Sequence, residues 1–515
     1  MSKRWSRRGM FQAAGAGAAA AMLPSAAEAA ATLAEAQSVY EKIGVKPFIN
    51  MTATYTINGG APVLPEVRQA MDSASQLAVN LDELMEKAGA RVAELLGAEA
   101  AIITSGAAAA LCHGTAACIA GGDPEKMKRL PHSEGMKNEV LIAKQSRNDY
   151  DHAFRTAGGK LVEFDTPEEF HAALGHRTAM VAVLGTGEAK AKIRLEQIAE
   201  AAHKRGVPVI VDAAAELPHP PNPYLSRGAD LVAYSGGKIL RGPQGAGVLL
   251  GRKDLVRAAW SNSAPHHGYG RAMKVSKEEI VGMVVALELF RSTRKIPDEY
   301  AVWESWYKMI AGEIGGISGV TTKILPPAGA SPFPVMSVAW DPQKIKLTGQ
   351  EVYDQLLNGN PRIMSHAGGE ATSFVIRAVA MRPEHPALVA KRLSEVFRGG
   401  LANTPKAGAA PSVDVTGSWE VDIEFSSGKT RHTLVFDPAA GNSNKRRGLH
   451  IGQTARQQFQ AKLEGDAILV NSTLLLEGMS VHYTFSGKVQ GNAMTGEISL
   501  GEFGKGRFTA RRLEA

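Results

Sequence analysis

The chain has 515 residues, too many for one domain, and its 44% hydrophobic and 21% charged residues are the balance of a soluble globular protein able to bury a large core. The formal charge of +7 overstates its basicity: Lys3, Arg4, Arg7 and Arg8 against Glu28 place +3 in the first thirty residues, leaving about +4 for the rest. No dense basic run with interleaved aromatics is present, so nucleic acid is not an expected partner.

Ser6-Arg7-Arg8-Gly9-Met10-Phe11-Gln12 carries a twin arginine ahead of an apolar, Ala-rich stretch, with small residues for cleavage near Ala27-Glu28-Ala29. Residues 1–30 therefore read as a twin-arginine signal peptide, with a basic disordered tail as the alternative. The apolar stretch is too short for an ordinary bilayer span. The mature chain is expected in the periplasm or secreted, without a membrane span. Twin-arginine export moves folded proteins, which suits a cofactor loaded in the cytoplasm.

After Phe48-Ile-Asn50 and Gly59-Gly60, Leu64-Pro65-Glu66-Val67 opens a helix at a proline, and helical patterning continues from Asn80 to Gly97. Ala101-Ile-Ile-Thr104-Ser105-Gly106-Ala107 is an apolar run, then Thr-Ser-Gly, then an Ala-rich helix. Backbone amides at that helix start, with the Ser105 hydroxyl, suit a phosphate dianion; an ordinary capped helix is the alternative. Cys112 and Cys118 lie on this helix about 120° apart, cannot bridge each other there, and read as buried, inert thiols.

From 139 to 250 strands and helices alternate. Strands are expected near 139–143, 160–164, 179–184, 207–212, 230–234 and 246–250, with a helix over Leu195–Arg205, which argues for a mainly parallel α/β sheet. Val207-Pro-Val-Ile-Val-Asp212 is a buried strand ending in a carboxylate. Leu231-Val-Ala-Tyr-Ser235-Gly-Gly-Lys238 is another, ending 26 residues later in an amine. Strand-Asp then strand-Lys is the order in which fold-type-I pyridoxal phosphate (PLP) enzymes present the partner of the pyridine nitrogen and the lysine that forms the Schiff base. In a doubly wound sheet both strand ends face one crevice.

Around 401–411 the chain reads as a linker, and beyond it short alternating runs take over: Ser418–Phe425, Thr430–Phe436, Gln458–Lys462, Ala467–Asn471, Val481–Val489, Met494–Leu500 and Arg507–Arg511. About eight strands without a helix suggest a small barrel or sandwich over 412–515, and Gly417-Ser-Trp419 resembles the start of lipocalin-like barrels. Lys445-Arg446-Arg447 reads as a solvated turn.

Ile49-Asn50, Gly97-Ala-Glu-Ala-Ala-Ile-Ile-Thr-Ser-Gly-Ala-Ala-Ala, Val211-Asp212-Ala-Ala-Ala-Glu-Leu, Gly228-Ala-Asp-Leu-Val-Ala-Tyr-Ser-Gly-Gly-Lys238 and Gly270-Arg271-Ala-Met-Lys274 together resemble one PLP family. It contains selenocysteine synthase (L-seryl-tRNA selenium transferase) and D-glucosaminate-6-phosphate ammonia-lyase, and the resemblance covers roughly residues 38–400. It implies a large PLP domain over 38–300, a small α/β subdomain over 301–400, and at least a homodimer with its sites at the subunit interface. It also implies Lys238 as the Schiff-base lysine, Asp212 as the pyridinium partner, and Ser105, Gly106 and Ala107 in the phosphate site. Ser235 is a further candidate for the phosphate. His152 is the candidate for stacking on the ring, with Tyr150 in reserve. Arg271, Arg362 and Arg377 are candidates for a substrate carboxylate, because a guanidinium binds carboxylate with two parallel bonds. His266-His267 reads as a loop rather than a metal site, since adjacent side chains in an extended loop diverge.

The resulting expectation is an exported PLP-dependent lyase acting on a small amino acid or amino sugar acid by α-proton abstraction and elimination. A tRNA substrate is not expected. The alternatives are a racemase or aminotransferase using the same cofactor and, in another class, a non-catalytic binding protein on this scaffold.

Overall fold

The computed structural model describes residues 39–329, 331–402, 409–439 and 443–513. The expected signal peptide and most of the expected linker lie outside the described residues. A short N-terminal strand, β1 (Ile49–Asn50), is followed by the helix Pro65–Ser75, which opens at its proline, and by the helix Leu81–Leu96. The second helix starts where Asn80 accepts the Glu83 amide and stops at Gly97, whose φ of 68° lets the chain turn away.

The central sheet has seven strands: β2 (Ala100–Thr104), β3 (Glu139–Ala143), β4 (Lys160–Phe164), β5 (Thr178–Leu184), β6 (Val209–Asp212), β7 (Leu231–Ser235) and β8 (Gly247–Gly251), in the order β2-β8-β7-β6-β5-β3-β4. From β4 to β7 all neighbours are parallel, and β8 alone runs against both of its neighbours. Helices cover the sheet, so strands β5 to β8 are apolar at nearly every position instead of alternating.

A smaller antiparallel sheet follows, made of β9 (Val320–Leu325), β10 (Val335–Trp340) and, after the short β11 (Ile363–Met364), β12 (Ser373–Ile376). The helices Ile296–Ile314 and His385–Ala402 accompany it. β1 pairs in parallel with β11, so the N-terminal arm is stitched to this C-terminal α/β part.

The last strands are β13 (Gly417–Glu424), β14 (Lys429–Phe436), β15 (Lys445–Ile451), β16 (Arg456–Glu464), β17 (Ala467–Leu476), β18 (Met479–Gln490), β19 (Ala493–Ser499) and β20 (Lys505–Arg512). They form a closed antiparallel barrel, with β20 returning to β13. Trp419, Phe436, Phe459, Phe485 and Phe508 fill its interior, and the Arg512 guanidinium lies 4.6 Å from the Trp419 ring centre. One expectation is corrected here. Lys445-Arg446-Arg447 is not a solvated turn but the start of β15, and the pleat turns Arg446 inward to 8% exposure. A long aliphatic stem tolerates that position because the guanidinium reaches backbone oxygens, including the Lys445 carbonyl at 2.9 Å.

Candidate active site

The strand ends bring the expected residues to one edge of the sheet. Thr104, Gly247 and Ser235 lie in one row across β2, β8 and β7, and Asp212 lies opposite Ala233 one strand further on. Because β8 is antiparallel, its first residue shares this edge with its neighbours' last residues. Gly247 must be glycine: a Cβ there would sit 2.4 Å from the Gly106 carbonyl carbon, so the helix start rests directly on the strand. Ser105 precedes the helix Gly106–Ala120 and makes no side-chain bond to its first amides, which leaves its hydroxyl available at the helix's positive end.

Lys238 sits in a tight loop after β7. The Gly236 amide donates to Ala246, Gly242 to Gly236, and Arg241 to the Lys238 carbonyl, each at 2.8–2.9 Å. Sequence reasoning missed the residue that clamps this loop. Arg294 donates to the Ile239 carbonyl at 3.0 Å and the Leu240 carbonyl at 2.8 Å while paired with Glu299. The N-terminal arm closes over the loop as well: Leu64 donates its amide to Arg241, and a Cβ on Gly60 would overlap the Gln244 amide group.

Asp212 is buried, with one carboxylate oxygen accepting the Ala214 amide at 3.0 Å. Burial raises its pKa, the Ala214 bond and the charge of Lys238 oppose that rise, and Asp151 adds to it. Burial lowers the pKa of Lys238, and Asp212 partly offsets the fall. Amine and carboxylate therefore feel each other's charge.

A pocket of about 300 Å³ opens at the start of the helix after Ser105, lined by Ser105, Ala108, Ala109, Cys112, Asp149, Tyr150, His152, Ala153, Thr156 and Met273. It brings together Ser105 from the start of one helix and Tyr150 and His152 from a second segment, with Met273 from the Gly270–Lys274 stretch. Lys238 and Asp212 are not in its wall. The Tyr150 phenol pKa is raised by burial first and by the Asp212 carboxylate next. Asp151, fully buried, pairs through Oδ2 with Arg147, and its Oδ1 has no partner among the described residues.

Ala107 is buried in the first turn of the helix behind Ser105, and Ser235 is half-buried at the end of β7. The three arginines differ. Arg362 ties the arm down, donating to the carbonyls of Lys46 at 2.7 Å and Leu357 at 3.0 Å. Arg271 is exposed. Arg377 pairs by its backbone with the arm at Thr52 and has no carboxylate partner among the described residues. His366 stands beside it, its pKa lowered by burial and then by the Arg377 charge. His266 is held by the Trp260 carbonyl at 3.0 Å and by Asp82 at 3.1 Å, and the described residues hold no metal-binding cluster. Cys112 and Cys118 are unbridged thiols that burial pushes up to about 11 and about 12.

Residues 66–302 match the family described as Aminotransferase class-V. D-glucosaminate-6-phosphate ammonia lyase of Salmonella typhimurium is 31% identical over 333 residues, covering 62% of this chain and 87% of that protein. The chain belongs to the class-V aminotransferase family of PLP enzymes. The solved structure of D-glucosaminate-6-phosphate ammonia-lyase superposes with a TM-score of 0.62 at 30% identity, covering 70% of this chain and 98% of that one. A 5'-C-glycyluridine monooxygenase-decarboxylase from a Streptomyces species is 29% identical over 70% of this chain and 92% of its own length. The L-seryl-tRNA(Sec) selenium transferase of Proteus mirabilis is 28% identical, and the chain spans 59% of its length.

The residues present fit the family's cofactor. A half-buried amine in the loop after β7 and a buried carboxylate at the end of β6 influence each other's charge, and an uncapped serine stands at a helix start beside a pocket. No helix among the described residues is long and apolar enough to cross a membrane.

Proposed function

We propose that this enzyme is a PLP-dependent lyase that removes an α-proton from a small amino acid or amino sugar acid and then expels a β-substituent or ammonia. The mutual electrostatic influence of Lys238 and Asp212, inside a fold shared with an ammonia-lyase, carries this reading. Bound PLP supplies an electron sink conjugated to the substrate α-carbon. Lys238 would hold the cofactor and move the α-proton through Nζ, since burial keeps its amine more readily neutral than an exposed lysine. Asp212 would hold a proton at the ring nitrogen. Ser105, with the amides of Gly106 and Ala107, would receive the phosphate, with Ser235 close by on β7. His152 or Tyr150 would form the wall against the ring. Arg377 remains the candidate guanidinium for a substrate carboxylate, because Arg362 is occupied by backbone carbonyls.

A screen of D- and L-amino acids and amino sugar acids tests the reaction. Free ammonia together with a keto product is expected. A keto acid without free ammonia means transamination, inversion alone means racemisation, and carbon dioxide release with oxygen uptake would align the chain with its Streptomyces relative instead.

Export and self-association belong to the same reading. The twin arginine Arg7-Arg8 ahead of an apolar stretch supports export, and the exposed Tyr40, Ile43, Tyr55 and Ile57 of the arm support burial against a second copy. Arg7→Lys with Arg8→Lys should trap the protein in the cytoplasm, and light scattering should give a dimer or larger. Undiminished export or a monomer would remove the corresponding claim.

A further inference from the structure

We propose that the barrel acts in cis on the enzyme: its β17–β18 turn, through Arg147, sets the position of the Asp149–Thr156 segment that lines the pocket. The inference rests on the reading of that pocket as the cofactor site.

Arg147 is a three-way junction with its side chain 7% exposed. Its Nε donates to Asp151, Nη1 to Glu163 on β4, and Nη2 to the backbone carbonyl of Glu477 at the tip of the barrel hairpin. Asp151 begins the segment whose next residues, His152, Ala153 and Thr156, line the pocket. A second contact runs in parallel: Arg155 Nη2 lies 3.1 Å from His152 Nδ1 and 3.8 Å from Met479 Sδ.

The hairpin is shaped for this approach. Leu476 pairs with Met479, so the turn holds only Glu477 and Gly478, with φ of 51° and 81°. Two positive φ values match the right-handed twist of the strands and aim the Glu477 carbonyl outward. A Cβ on Gly478 would lie 2.8 Å from Arg147 Cζ, closer than side chains approach, so the bare glycine admits the guanidinium. The barrel meets the enzyme where the pocket wall is anchored, and Arg147 is a positioning residue.

Hydrogen–deuterium exchange on the full chain tests this, with PLP titration as a second readout. Gly478→Ala should push Arg147 aside and raise amide exchange across 148–156 and the PLP dissociation constant by roughly tenfold, the size of one lost charge-assisted hydrogen bond. Glu477→Gly keeps the carbonyl and should match wild type. Coupling between two sites is reciprocal. Arg147→Met should therefore also raise exchange in the hairpin, at 474–480. Protection of β13 and β20 reports that the barrel is folded in each variant. If Gly478→Ala loses that protection, Arg147→Met decides, and an unchanged hairpin there overturns the proposal. So does unchanged exchange at 148–156 in a folded Gly478→Ala protein. Failure of wild type to bind PLP would reject the cofactor reading alone, leaving the exchange comparison to judge the coupling.

Discussion

Lys238→Ala protein purified with PLP supplied is expected to lack the visible absorption band of wild type and to lose turnover by at least about a thousandfold. A lysine amine at the surface is charged at neutral pH and cannot act as a nucleophile or a base. Lys238 is half-buried in the loop that Arg294 clamps, and desolvation moves its pKa down against the pull of Asp212. Attachment of the cofactor should therefore rise with pH about a midpoint below the ordinary lysine value, as the amine loses its proton. Lys238→Arg is the informative control: it keeps a cation in place but cannot be deprotonated near neutrality. It should fail as Lys238→Ala fails. A band and turnover retained in either variant would place the chemistry on another residue.

What could be read from the residues and what could not divides along physical lines. The strands expected at 139–143 and 160–164 coincide with β3 and β4, and those expected near 179–184, 207–212, 230–234 and 246–250 differ from β5 to β8 by a residue or two. Short apolar runs bounded by turn residues carry that information locally. The barrel was legible for the same reason, except at β15, where three consecutive cations hid the alternation that buries Arg446. The positions of Asp212, Ser105 and Lys238, at or just beyond strand ends, were legible because each apolar run stops at a polar or glycine residue. The site was illegible where one residue reaches far along the chain to a backbone atom. Arg294 grips carbonyls 54 and 55 residues away, and Arg147 grips one 330 residues away. A carbonyl is the same on every residue, so no residue type marks it. Arg362 shows the converse: its type suits a carboxylate, but the Lys46 carbonyl lies within reach and takes it.

Asp212→Asn is expected to make the cofactor-free protein more stable at neutral pH by on the order of 1 kcal/mol while lowering turnover by about a hundredfold to a thousandfold. The two effects share a cause. In the folded chain the Asp212 pKa is raised, mainly by burial, so the carboxylate is less favourable there than in the unfolded chain. A group with a raised folded pKa gives its full stabilisation below the unfolded pKa and loses it as pH rises through the folded value. At pH 7 the ionised carboxylate is therefore a burden, relieved only in part by the Ala214 amide and by Lys238. Asparagine keeps the shape and the acceptor for Ala214 but carries no charge. Its advantage in urea denaturation should accordingly be larger at pH 7 than at pH 4. An amide cannot hold a proton at a ring nitrogen as a carboxylate does, so the substitution that relieves the fold should disable the reaction. A variant less stable than wild type at pH 7 would refute the electrostatic account of the site. Turnover within tenfold of wild type would instead show that the carboxylate faces something other than the cofactor ring.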